Sequence, residues 1–373
     1  MGTPAAPVKI NVGDKIKDSW VIKKKLGEGS CGTVFLVQSL KNSGPEGRAA
    51  IKVEPFMKSK DDEILKMEVF VLRKLQKFKH SCRFFMAGRE KTYNFLIMSL
   101  LGKELSDLRR RYPDRKMPAS ASLRIGLQSI QAIQDLHSVG FVHRDVKPTN
   151  FACDAVNKNN LVIFDFGLAR QIFTLDHGKM KLRDPRPKVS FRGTVRYCSI
   201  NTHNYKEQGR HDDLWSCLYM LIELVTSTLP WKGMARRDSG NLKEVVSDRT
   251  LCNGCPPSFA EMSAALKKLT YFDTPPYEKF ADMLKRDLAA IKTKPNDPFD
   301  WDVLKALKKK APEEDHHEKR EKDEQAEIDQ NPDTDTYRDV DESAESASTD
   351  QESQTKGFAK EDTLDNVPTH EAK

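Results

Sequence analysis

Two short segments, FVHRDVKPTNF at residues 141–151 and LVIFDFGLA at residues 161–169, constrain this chain more than any bulk property. Together they place two carboxylates (Asp145, Asp165), an ammonium (Lys147) and an amide (Asn150) close in sequence. That set suits one kind of chemistry. Asp145 would orient an attacking hydroxyl and take its proton, and Lys147 would neutralise a phosphoryl group in transfer. Asn150 and Asp165 offer the amide and carboxylate oxygens that a hard cation such as Mg2+ prefers. A charged loop beside a core strand has no need of HRD, KPxN and DFG in this order. His143 and Phe166 are expected to shape the loop rather than react.

A second cluster lies near the N-terminus. LGEGSCGTV puts Leu26, Gly27, Glu28, Gly29, Ser30, Cys31, Gly32, Thr33 and Val34 between two strand-like runs. The glycines let backbone amides approach phosphates closely, although the same spacing also describes a plain glycine turn. A dinucleotide-binding fingerprint would continue as a helix, whereas TVFLVQ continues as a strand, which excludes that reading. Lys52 stands in the apolar run AAIKV, where a buried ammonium needs a counter-charge. Glu68 shares a helical stripe with Ile64, Val71, Leu72 and Leu75, where an inward carboxylate needs one too. If the two meet, both costs cancel and the lysine is held to contact the α- and β-phosphates of a nucleotide.

Residues 20–26, 33–38 and 49–53 read as strands, and so does 94–100. Between them DDEILKMEVFVLRKL reads as a helix, with Asp61 and Asp62 at its positive end. Beyond residue 100 the pattern turns helical. Leu123, Leu127, Ile130, Ile133 and Leu136 form one face that Gly140 ends. LWSCLYMLIELV, from Leu214, is apolar nearly all round but only about 12 residues long, a buried core helix rather than a membrane span. The expected class is α+β: a small β-rich lobe with one main helix at 14–98, a connector at 99–102, and a larger, mostly helical lobe at 103–310. Residues 1–13 are an extension. From 311 to 373 the chain is Glu, Asp, Lys, Ser, Thr and Gln with almost no large apolar residue, and is expected to be disordered.

The net charge of +7 conceals a division, because from Glu313 onward there are 21 acidic and 7 basic residues, leaving 34 acidic and 55 basic before it. A basic body admits nucleic acid, acidic lipid or acidic protein as partner. No aromatic interleaving or groove-reading motif supports nucleic acid, and no long apolar run or signal-like start supports a membrane. The acidic segment either lies across the body or keeps it soluble. Seven cysteines, an odd number, read as free thiols in a reducing compartment. The expected location is the cytoplasm, with nuclear access left open by lysine runs at 23–25 and 308–310.

From about residue 14 to residue 302 the chain resembles the protein kinase fold, and within it the casein kinase 1 superfamily. Where most kinases carry Ala-Pro-Glu, this sequence has GTVRYCSINTH, with Ser199, Ile200 and Asn201 in that place, as is usual in the superfamily. HSVGFVHRDVKPTNF, DFGLARQ, FRGTVRY, GRHDDLWS, LPW and DPFDW look closest to its tau-tubulin kinase branch. The resemblance implies a monomeric, ATP- and Mg2+-dependent kinase acting on protein serine or threonine. It implies Met98 as gatekeeper, Ala50 among the ATP contacts, Ser99 and Leu101 in the adenine-binding hinge, and Asp213 bracing the catalytic loop. Arg186, Lys188, Arg192 and Arg196, with Lys243 by a looser alignment, are candidates to bind an acidic or already phosphorylated substrate. A solvated basic face or an internal salt-bridge network is the alternative. Ser190 and Thr194 are weaker candidates for a switch, since activation-loop phosphorylation is unnecessary in this superfamily. Tubulin and microtubule-associated proteins are open as substrates by resemblance only. The competing reading is a pseudokinase scaffold, against which stands the presence of the lysine–glutamate pair, the base and the metal ligands.

Overall fold

The computed structural model describes residues 8–29, 32–59, 63–176, 179–299 and 301. The strand-like runs near the N-terminus pair into an antiparallel sheet of order β1-β2-β3-β4-β6-β5. Its strands are β1 (Lys15–Ile16), β2 (Trp20–Gly29), β3 (Gly32–Ser39), β4 (Arg48–Pro55), β5 (Phe84–Arg89) and β6 (Tyr93–Ser99). Pleating sends successive side chains to opposite faces. Phe35, Val37, Ile51, Val53, Phe95 and Ile97 therefore build one apolar cluster. Ala50, Leu96 and Met98 point the other way and join the core that continues into the helical lobe. Gly32 has φ +121°, and a Cβ there would lie 2.1 Å from the Val53 carbonyl oxygen, so only glycine fits this crossing.

Between β4 and β5, α1 (Leu65–Lys74) packs Leu65, Val69, Val71 and Leu72 inward. Its first turn is held from a distance: Ile64 and Leu65 donate their backbone N–H groups to Glu54 Oε1 on β4, at 2.8 and 3.1 Å. Asp61 and Asp62, expected at this helix's start, lie outside the described residues, as do Ser30, Cys31 and the segment from 302 onward.

The chain leaves β6 through Leu100 into β7 (Leu101–Glu104), α2 (Leu105–Arg109) and α3 (Ala119–Ser138). Short strands follow: β8 (Phe141–Val142), β9 (Phe151–Asp154), β10 (Leu161–Ile163), β11 (Arg170–Gln171), β12 (Phe173–Asp176) and β13 (Lys179–Leu182). They hold two loops in place, because β9 pairs with β7 and β10, and β8 with β11. The helices α4 (Ile200–His203), α5 (Arg210–Thr226), α6 (Arg236–Val245), α7 (Asp248–Leu251), α8 (Pro257–Leu266) and α9 (Tyr277–Ala290) complete the lobe. The apolar run from Leu214 is the centre of α5, which begins four residues earlier, where the Gly209 N–H donates to Asp212 Oδ2 at 2.7 Å. Leu214, Leu218 and Leu221 are fully buried there. Fully burying side chains of this kind contributes about 1.5–3 kcal/mol each.

The DPFDW segment folds onto α3: Phe299 and Trp301 stack at 3.9 Å between ring centroids, and the Arg124 guanidinium lies 4.3 Å from the Phe299 centroid. Among the described residues no helix is long and apolar enough to cross a membrane, and the described cysteines are free. Cys252 and Cys255 have CxxC spacing, but burial pushes their thiols up to about 11 and about 12, and no metal-holding cluster occurs among the described residues.

Candidate active site

Register on the sheet gathers the first group of side chains. Val34 stands opposite Lys52, and Ala50 opposite Met98, so these four share the face turned to the helical lobe. Lys52 Nζ donates to Glu68 Oε2 at 2.6 Å and to Asp165 Oδ1 at 2.9 Å. Lys52 and Glu68 are almost wholly buried. Burial pushes the Glu68 carboxyl up against the opposing pull of Lys52. Desolvation acts the same way on Asp165, but there the Lys52 charge and hydrogen bond outweigh it and hold the group below the usual carboxylate range. One ammonium thus serves two carboxylates, and removing one member of such a buried set costs about 3–5 kcal/mol. Asp165 takes φ 64° and ψ 68°, a left-handed conformation that turns the DFG segment at this point.

The second group forms around Asp145. Its Oδ2 lies 2.9 Å from Lys147 Nζ, and its Oδ1 accepts from Thr194 Oγ1 at 2.7 Å. The same Thr194 oxygen accepts from Lys147 Nζ at 3.0 Å. Asn150 Nδ2 donates to the Asp145 carbonyl at 2.8 Å, which fixes the amide plane. The loop is braced from below by Asp213 on α5, which accepts the backbone N–H groups of His143 and Arg144 at 2.7 and 2.8 Å. His137 completes the brace. Burial pushes its imidazole down, so it stays neutral, donating from Nε2 to Asp213 and accepting from Tyr277 Oη at Nδ1. Gly193, just before Thr194, has φ +122°, and a Cβ would lie 2.6 Å from the Arg144 carbonyl oxygen. This contact brings the Thr194 loop onto the catalytic loop.

The glycine-rich hairpin pairs Gly27 with Val34, Glu28 with Thr33, and Gly29 with Gly32. Leu26, Gly27, Glu28 and Gly29 are exposed, and Gly32, Thr33 and Val34 half-buried. At the connector, Ser99 Oγ accepts from the Arg83 N–H at 3.0 Å, and Leu101 pairs with Asp154.

The basic set divides. Lys188 is exposed and Arg192 half-buried. Arg186 forms a two-nitrogen contact with Glu207, its Nε at 2.6 Å from Oε2, and Arg170 Nε reaches the same carboxylate at 3.3 Å. Burial, with Arg170, Arg192 and Arg186 around it, pushes the Arg144 guanidinium down to about 9. Arg196 lies 3.4 Å from Glu223 on α5. Lys243 corrects the sequence reading. It is 3% exposed, and its ammonium donates to the carbonyls of Val195 and Cys198 at 2.6 and 2.8 Å. A charged head held by buried carbonyls supports the loop from inside rather than meeting a substrate.

Comparison with known proteins places the geometry. Residues 20–276 match the protein kinase domain. The chain is 40% identical over 294 residues to a probable serine/threonine-protein kinase of Dictyostelium discoideum, covering 78% of this chain and 58% of that protein, less than two thirds of its length. It is 33% identical over 301 residues to a putative serine/threonine-protein kinase of Caenorhabditis elegans, covering 79% of this chain and 85% of the relative. A putative casein kinase I of the same nematode is 32% identical over 300 residues, covering 78% and 85%. With this fold, this pair of loops and these relatives, the chain belongs to the protein kinase family, and relatives it resembles carry the name serine/threonine-protein kinase.

Proposed function

We propose that the chain transfers the γ-phosphate of ATP, with Mg2+, to serine or threonine hydroxyls of proteins, favouring acidic or already phosphorylated substrates, as a member of the casein kinase 1 superfamily near its tau-tubulin kinase branch. One observation carries this reading: Lys52 bonds at once to Glu68 and Asp165, the arrangement that prepares a nucleotide site. Lys52 would contact the α- and β-phosphates, with Val34, Ala50, Met98, Ser99 and Leu101 around the base. Asn150 and Asp165 fit a magnesium ion by donor chemistry, an amide oxygen and a carboxylate held ionised by Lys52. When bound, that ion neutralises charge on the phosphate oxygens.

Asp145 would take the hydroxyl proton as the new O–P bond forms and the bond to the ADP leaving group breaks. Lys147 would steady the transferred phosphoryl, and Thr194, bonded to both, would hold the base in line. The acidic preference is supported by Arg170, Arg186 and Arg192, gathered with Glu207 around Arg144.

The test is transfer from labelled ATP with magnesium to casein, tubulin and paired peptides, one bearing a phosphoserine. Transfer lost in Asp165→Ala and favoured by the phosphorylated peptide is expected. Nucleotide binding without transfer to any substrate would support the scaffold reading instead.

A further inference from the structure

Glu54 is a buried carboxylate, 1% exposed, that phosphoryl transfer does not use. It follows Lys52 by two positions on β4, so pleating sends both side chains to one face of the sheet. Its Oε1 accepts the backbone N–H groups of Ile64 and Leu65. Those belong to the N–H groups that a helix start leaves unpaired. Ile64, in the cap position, has no side-chain acceptor to offer. Glu68, the partner of Lys52, lies four residues beyond Ile64, one turn along the same helix face. The strand therefore grips the helix at two points a turn apart, Lys52 on Glu68 and Glu54 on the first turn. With the Lys52 contact alone, the first turn of α1 would be held to β4 by apolar packing without a polar anchor. Glu54 Oε2 and Asn94 Oδ1 are both buried acceptors without a hydrogen-bond partner among the described residues, and the two residues face each other in the β4–β6 register.

We infer that Glu54 is a positioning residue, holding the first turn of α1 against β4 so that Glu68 reaches Lys52. The inference concerns alignment of the helix and is independent of substrate preference. The 373-residue chain with Glu54→Ala or Glu54→Gln tests it through kcat, KM for ATP, and amide hydrogen exchange across α1. Glu54→Ala is expected to lower kcat by about 10-fold or more, to change the nucleotide KM by less than about 3-fold, and to speed exchange in the first turn of α1 but not in α5. Glu54→Gln, whose amide oxygen accepts the same two N–H groups and whose nitrogen can donate to Asn94 Oδ1, is expected to recover kcat to within about 3-fold. A packing control in the same helix, Val69→Ala, shows what general destabilisation does. The inference is overturned if Glu54→Ala keeps kcat within about 2-fold, if the glutamine fails to restore it, or if Val69→Ala, at an equal loss of melting temperature, reproduces the same loss of kcat. Should no substrate be phosphorylated by the unaltered chain, the exchange measurement decides alone: unchanged first-turn protection in Glu54→Ala overturns the inference.

Discussion

Thr194 shows what a single hydroxyl does in this site. It donates to Asp145 and accepts from Lys147, so one oxygen joins base and cation beside their direct 2.9 Å contact. Thr194→Val keeps the shape and removes both bonds, and is expected to lower kcat by about 10²-fold with little change in KM for ATP, whereas Thr194→Ser stays near the parent; steady-state kinetics checks both. Glu54 makes a different residue-scale prediction. Burial is the main cause lifting its carboxyl from 4.5 to about 7, with Glu63 adding to it, while the N–H groups of Ile64 and Leu65 and the Asn94 side chain oppose it. Lys66, 3.1 Å from Glu63, offsets part of that neighbour's charge. The folded chain thus holds this proton more tightly than the unfolded one. The resulting stabilisation is complete below about pH 4.5 and is lost as pH rises through about 7. Glutamine does not titrate. Denaturant unfolding of Glu54→Gln beside the parent should therefore show the variant gaining relative stability, by roughly 2 kcal/mol, between pH 5 and pH 8. A constant difference across that range would refute the assignment.

At the scale of elements, the loop from Gly193 to Ser199 is held from beneath by α6. Lys243 on α6 reaches its carbonyls from inside, and removing it orphans two buried acceptors, each worth about 1–3 kcal/mol. Lys243→Ala is expected to lower the melting temperature and to raise KM equally for phosphorylated and unphosphorylated peptides. Lys188→Ala, on the exposed side, is expected to raise KM for the phosphorylated peptide alone. Sequence showed the charge of Lys243 but not its depth, which only the packing of α6 against the loop fixes. Much else was legible. The short β-branched and apolar runs gave β2, β3, β4 and β6, the 3.6-residue stripe gave α1 and α3, and the spacing of HRD, KPxN and DFG brought Asp145, Lys147, Asn150 and Asp165 to notice before any distance was known. β5 was missed because FFMAGR is apolar on both faces and shows no alternation. Asp61 and Asp62, read as suiting the positive end of α1, lie outside the described residues, and the acceptor observed at its first turn, Glu54, sits on another element where no helical pattern points to it. The role of Thr194 was invisible because it exists only through a contact 49 positions away.

For the whole molecule, the distribution of charge matters more than its sum. The chain carries +7, but the residues before Glu313 hold 55 basic and 34 acidic side chains, so a chain ending at Pro312 would carry +21. Part of that charge is neutralised locally, since Glu207 and Glu223 are buried against arginines. If the proposed acidic preference holds, the exposed remainder would act on substrate over a distance set by screening, about 10 Å at 0.1 M salt and about 3 Å at 1 M. If the acidic segment competes for that face, its removal lowers KM for an acidic peptide at low salt and leaves kcat unchanged, because Asp145, Lys147 and Thr194 are untouched. The expected result is a KM several-fold lower for the chain ending at Pro312 at about 0.05 M salt, with the difference gone at about 1 M. A difference that survives high salt would point to contacts other than charge, and equal KM values at every salt concentration would leave the segment a solubilising role, with the basic face open to substrate throughout.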